Sequence, residues 1–75
     1  MATATECEVL LQIGESAGLV WRTLATKGPM SYAQLVKATG APRDAVMQAV
    51  GWLAREDKLE FEDGRTLKVG LKLAV

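Results

Sequence analysis

The stretch that decides the fold is "GAPRDAVMQAVGWLAREDKLEF", residues 40–61. Val46, Ala49, Val50 and Leu53 recur at helical spacing and share one face, which leaves Asp44, Gln48, Gly51 and Arg55 outward and Met47 and Trp52 on the two flanks. Pro42 is placed to open this helix at its first position, where a missing amide hydrogen costs nothing. Asp57 is expected to end it in a left-handed conformation, which Asp tolerates better than most residues. Leu59 and Phe61 then alternate with Glu60 and Glu62, so the period has changed from helix to strand.

Upstream, "SYAQLVKATG" opens with Ser31 and carries Gln34 three residues later, the spacing at which two side chains satisfy the free amides of a helix start reciprocally. A short helix should run from there to about Ala38. Thr39 and Gly40 break it, and the break before Pro42 is as short as a helix-turn-helix requires. Further upstream, Val9, Ile13, Ala17, Val20 and Leu24 recur at steps of four and three, the stripe of an amphipathic helix over Glu6 to Thr26. "KGPM" stops that helix, with Gly28 free to take a left-handed cap. Met30 begins a short extended piece able to add a third strand. Downstream, Asp63-Gly64 separates the run at Leu59 from Leu67, Val69, Leu71 and Leu73, and such a pair between alternating runs signals a hairpin with both turn residues at positive φ. Three helices followed by a hairpin define an α+β winged helix-turn-helix.

The chain has 75 residues, enough for one small domain, taken as residues 6–75 with residues 1–5 a mobile N-terminus. Its 49% hydrophobic composition exceeds what so short a chain easily hides, and this points to a homodimer. Nine basic residues balance nine acidic ones, so no overall field draws the protein toward nucleic acid or a membrane. With one cysteine, Cys7, and no histidine, there is neither an internal disulfide nor a credible metal-ligand set. Cys7 reads as a small, partly buried hydrophobe. No general base accompanies Ser16 or Ser31, so an enzyme is not expected, nor a cofactor. No apolar run approaches the roughly 20 residues needed to span a bilayer, and no signal-like segment opens the sequence, so the expected location is the cytoplasm.

The stretches "IGESAGLVWRTL", "MSYAQLVKATG" and "VGWLAREDKLEF" resemble a small bacterial winged helix-turn-helix family of unknown function, and the resemblance covers residues 13 to about 73. It implies a stand-alone winged helix whose DNA binding is inferred from fold. "GAPRDAVMQAVGWLAREDKL" also resembles the left-handed nucleic-acid-binding winged helix of RNA-editing adenosine deaminases. Where that family carries a phosphate-binding asparagine and a base-stacking tyrosine, this sequence has Met47 and Gly51, so that specificity is not carried over.

For ordinary double-stranded DNA, the side chains able to read base edges from the third helix are Arg43, Gln48 and Arg55, with Lys37 and Lys58 beside them for phosphate and Arg65 at the wing tip. Asp44 opposes an approaching phosphate, yet a carboxylate at a helix start also stabilises it by about 0.3–1 kcal/mol. The rival use of the fold is protein interaction. Trp52 either lies half-buried against the first helix or the wing, or anchors an interface with Met47 or the gap at Gly51. Gly14 and Gly18, with Trp21 beside them, form a small-residue strip on the first helix. It packs either on the C-terminal strand or on a second copy, and the same face could serve a partner protein.

Overall fold

The computed structural model describes the backbone of residues 4–72 and the side chains of residues 8–72. In chain order the elements are α1 (Ala4–Lys27), β1 (Met30–Ser31), α2 (Tyr32–Thr39), α3 (Arg43–Arg55), β2 (Leu59–Glu62) and β3 (Lys68–Leu71). Three helices pack on one small antiparallel sheet of order β1-β3-β2, the winged helix-turn-helix arrangement. Met30 does supply a third strand, pairing with Val69. The side chain of Cys7 and the residue Leu73 lie outside the described residues.

The caps explain where the helices stop. Gly28 has φ 83° and its amide donates to the Leu24 carbonyl at 2.9 Å, closing α1. At the start of α2 the Gln34 amide donates to Ser31 Oγ at 3.2 Å while the Ser31 amide donates to Gln34 Oε1 at 3.0 Å, so both orphan donors are satisfied. Gly40, at φ 69°, ends α2. Asp57, at φ 59°, ends α3: its amide donates to the Ala54 carbonyl and that of Lys58 to the Leu53 carbonyl, both at 3.0 Å. The Asp57 carboxylate in turn accepts from Lys72 Nζ at 2.7 Å, which ties the end of the wing to the exit of α3.

Four details differ from the sequence expectations. α1 begins at Ala4, inside the segment expected to be mobile. Pro42 is the residue before the first turn of α3, with ψ 144°, and its carbonyl already accepts from the Val46 amide. Val9, expected in the core stripe, is 43% exposed, because α1 runs on past the body that covers Ala17, Val20 and Leu24. The fourth is the wing turn. Neither Asp63 nor Gly64 takes a positive φ, and the strands are joined by a five-residue loop, since Glu62 pairs with Lys68. A two-residue turn would have set Leu59 opposite Lys68 and split the apolar side chains between the two faces. The observed register puts Leu59 opposite Leu71 and Phe61 opposite Val69, so the hydrophobic pattern overrides the local turn signal.

The core gathers Ala17, Val20 and Leu24 of α1, Leu35 of α2, Val46, Ala49, Val50 and Leu53 of α3, and Met30, Leu59 and Val69 of the sheet. Gly70 lies on the opposite sheet face from Val69, and there a Cβ would come within 3.1 Å of Pro29 Cγ and 3.4 Å of Pro29 Cβ. Pro29 is a rigid ring held between the Gly28 cap and a paired strand, so it yields little. Gly70→Ala is therefore expected to destabilise the domain by about 1–2 kcal/mol, the overpacking cost less the entropy a methyl removes from the unfolded chain. A urea midpoint equal to or above that of the wild type would show that Pro29 moves aside freely.

Candidate nucleic-acid interface

α3 owes its position to one buried stripe, Val46, Ala49, Val50 and Leu53, which packs it along α1 and leaves the opposite side bare. On that bare side Asp44, Gln48, Gly51 and Arg55 are exposed, with exposed Arg43 at its N-terminal edge. Among the described residues nothing lies within 4 Å of where a Gly51 Cβ would be, so none of them makes the close approach that a mid-helix glycine suggests. The glycine lowers local helix preference by about 1 kcal/mol relative to Ala and leaves the middle of the face flat.

The six basic and polar residues expected to meet DNA are all exposed, but they are not all together. Arg43, Gln48 and Arg55 lie along α3, and Lys37 lies in the last turn of α2. The Arg55 guanidinium sits 6.0 Å from the centre of the Trp52 ring, a cation–π contact that leans it toward the α1 side of the helix. Arg65 lies in the wing loop, between the acidic pair Glu62 and Asp63 and the cation Lys68. Lys58 is turned away from the bare face. It borders the groove between α1 and α3, with its ammonium 3.8 Å from Glu56. Lys68 is a further exposed cation, outside the set expected from the sequence. Its place opposite buried Val69 in the alternating run is the signal that puts it outward on the wing.

The expected interface residues divide in the same way. Gly14, Gly18, Trp21 and Trp52 line one open groove of about 430 Å³, whereas Met47 is partly buried on the other flank of α3. Among the described residues the glycine strip does not pack on the C-terminal strand: a Cβ at Gly14 would meet nothing within 4 Å, and one at Gly18 would meet Arg22 Nη1 at 3.5 Å. Trp52 thus faces α1 across this groove and remains 37% exposed.

Residues 7–70 match the family model described as Winged helix-turn-helix domain (DUF2582). The chain belongs to that family. The solution NMR structure of protein BT2368 from Bacteroides thetaiotaomicron is similar to this winged helix-turn-helix domain, with 30% identity and a TM-score of 0.73 over 80% of this chain and 74% of that one. No curated protein matches the chain. Among the described residues of the domain, no group of three His, Cys, Asp or Glu side chains could hold a metal ion, and no helix is long and apolar enough to cross a membrane.

Proposed function

We propose that the domain binds double-stranded DNA through the bare side of α3, as a transcriptional regulator with weak or tolerant sequence readout, acting in the cytoplasm and without enzymatic chemistry. The observation that carries this reading is the uncovered face itself. A helix that enters the major groove must be free along its length, and α3 presents Arg43, Gln48 and Arg55 with none of the described elements over Gly51. Lys37, Arg65 and Lys68 stand beside it as phosphate contacts on α2 and the wing. The chain's zero net charge limits the strength of such binding, because non-specific affinity comes almost wholly from neutralised phosphates.

The test is a titration with random-sequence duplex DNA at low salt, followed by amide chemical shifts. Changes are expected within residues 37–58 and 63–68. Shifts confined elsewhere, or none at all, remove the proposal. The charges on α3 supply a sign test. Arg43→Ala and Arg55→Ala should each weaken binding, by about 1–3 kcal/mol where the guanidinium reads a base and with a salt slope smaller by about 1 where it meets a phosphate. Asp44→Asn should strengthen it, since a repelling carboxylate leaves the first turn while a side-chain oxygen remains. Unchanged affinity for Asp44→Asn in a protein that does bind DNA would place the duplex on another surface.

A further inference from the structure

Asp44, Gln48, Gly51 and Arg55, all exposed, run in one line along the bare side of α3, each about a turn from the next. They differ in what they offer a base edge. Asp44 can only accept a hydrogen bond and Arg55 can only donate, whereas the Gln48 carboxamide does both. Arg55 is also drawn off the line, its guanidinium 6.0 Å from the centre of the Trp52 ring. At Gly51 there is room instead: among the described residues nothing lies within 4 Å of the position a Cβ would take. We propose, on the reading that this face meets DNA, that Gln48 and Gly51 together select an A·T base pair in the major groove. The Gln48 carboxamide bridges N7 and the N6 amino group of the adenine, and the gap at Gly51 takes the 5-methyl group of the thymine.

The chemistry of the base edges selects this pair. Adenine presents an acceptor, N7, beside a donor, the N6 amino group, and one carboxamide satisfies both. Guanine presents two acceptors at the same places, N7 and O6, and would leave the amide oxygen of Gln48 unmatched. Of the four bases thymine alone carries a methyl group on its major-groove edge. Helix positions three apart have Cβ atoms about 5–6 Å from one another, so a methyl beside the adenine held by Gln48 comes under Gly51. A side chain at that position would meet it.

Two edits of the DNA and two of the protein test the pair, with binding followed by fluorescence anisotropy at low salt. The probes are a labelled duplex rich in A·T pairs, the same duplex with 7-deazaadenine, which lacks the N7 acceptor, and the same duplex with uracil for thymine, which lacks only the methyl. Both edits leave the phosphates as they were. Loss of N7 should weaken the wild type by about threefold or more, the worth of one hydrogen bond, and should not weaken Gln48→Ala further. Gln48→Ala itself should bind the unedited duplex about fivefold or more weakly with an unchanged salt slope, because the carboxamide carries no charge. Gly51→Ala should melt at a higher temperature, since alanine favours the helix, yet bind the thymine duplex about fivefold or more weakly. On the uracil duplex that loss should vanish, one methyl having moved from the DNA to the protein. A wild type indifferent to 7-deazaadenine overturns the proposal. So does a Gly51→Ala variant that binds the thymine and uracil duplexes in the same ratio as the wild type. In either case salt-dependent binding of the unedited duplex leaves the DNA reading of α3 in place, whereas no binding to any of the three duplexes removes both.

Discussion

Leu35→Ala is expected to cost about 2–5 kcal/mol, the range for deleting a fully buried leucine together with the cavity it leaves. A chain of this size holds only roughly 4–11 kcal/mol in all, so the variant should be partly unfolded at moderate temperature. The severity comes from the local architecture. α2 has eight residues, too few to be stable alone, and Leu35, fully buried at 0% exposure, is its one buried side chain. The capping box and the Gly40 cap shape that helix but do not fasten it to α1 and α3. Without Leu35 the first half of the helix-turn-helix loses its hold, and the proposed DNA binding should go with it. Leu35→Met, which keeps the volume, should cost less than about 1.5 kcal/mol. Urea denaturation distinguishes them, and a loss below about 1 kcal/mol for Leu35→Ala would show that Tyr32 and Val36 anchor α2 instead.

The second large effect is on DNA affinity. On the proposed function, with Arg43, Arg55 and a few cations of α2 and the wing engaged, about three to five phosphates would be neutralised, with a log–log slope against salt near 0.9 for each. Raising salt fourfold should then weaken binding by roughly 40- to 500-fold, leaving little at physiological ionic strength. Fluorescence anisotropy over a salt series measures the slope directly. A flat response would mean that the bare side of α3 does not neutralise phosphate, and the proposed function would fall with it.

The element order and the helix ends were legible because their causes are local. Ser31 with Gln34, Gly28, Gly40 and Asp57 act on their nearest backbone neighbours, and the structure places each as its chemistry demands. The wing turn was misread for the opposite reason. Asp63-Gly64 is a local preference, while the register is set by Leu59 and Val69, whose burial depends on the whole domain, with Leu71 and Phe61 paired opposite them. Val9 shows a related limit, since periodicity marks which side of a helix is apolar but not how far the body beneath it extends. The surroundings of Gly14, Gly18 and Gly51 could not be read at all: an absent side chain says that a neighbour can come close, not that one does. Lys58 escaped for a similar reason, because the left-handed turn at Asp57 redirects the chain before it.

The strand order β1-β3-β2 has a bearing on synthesis. β3 is the strand with which both others pair, and it is the last of the three to be made. While the chain is still on the ribosome, residues 30–31 and 59–62 have no partner, and every backbone bond of the sheet waits for residues 68–71. At roughly 5–20 residues per second, several seconds separate Met30 from Val69, the residue it pairs with. Until residues 68–71 pair, α1, α2 and α3 can collapse on one another, but one side of their shared core has no lid. The domain therefore closes from its last strand, and a chain that stops short of Lys68 would leave Leu59 and Met30 uncovered to whatever else binds apolar chain.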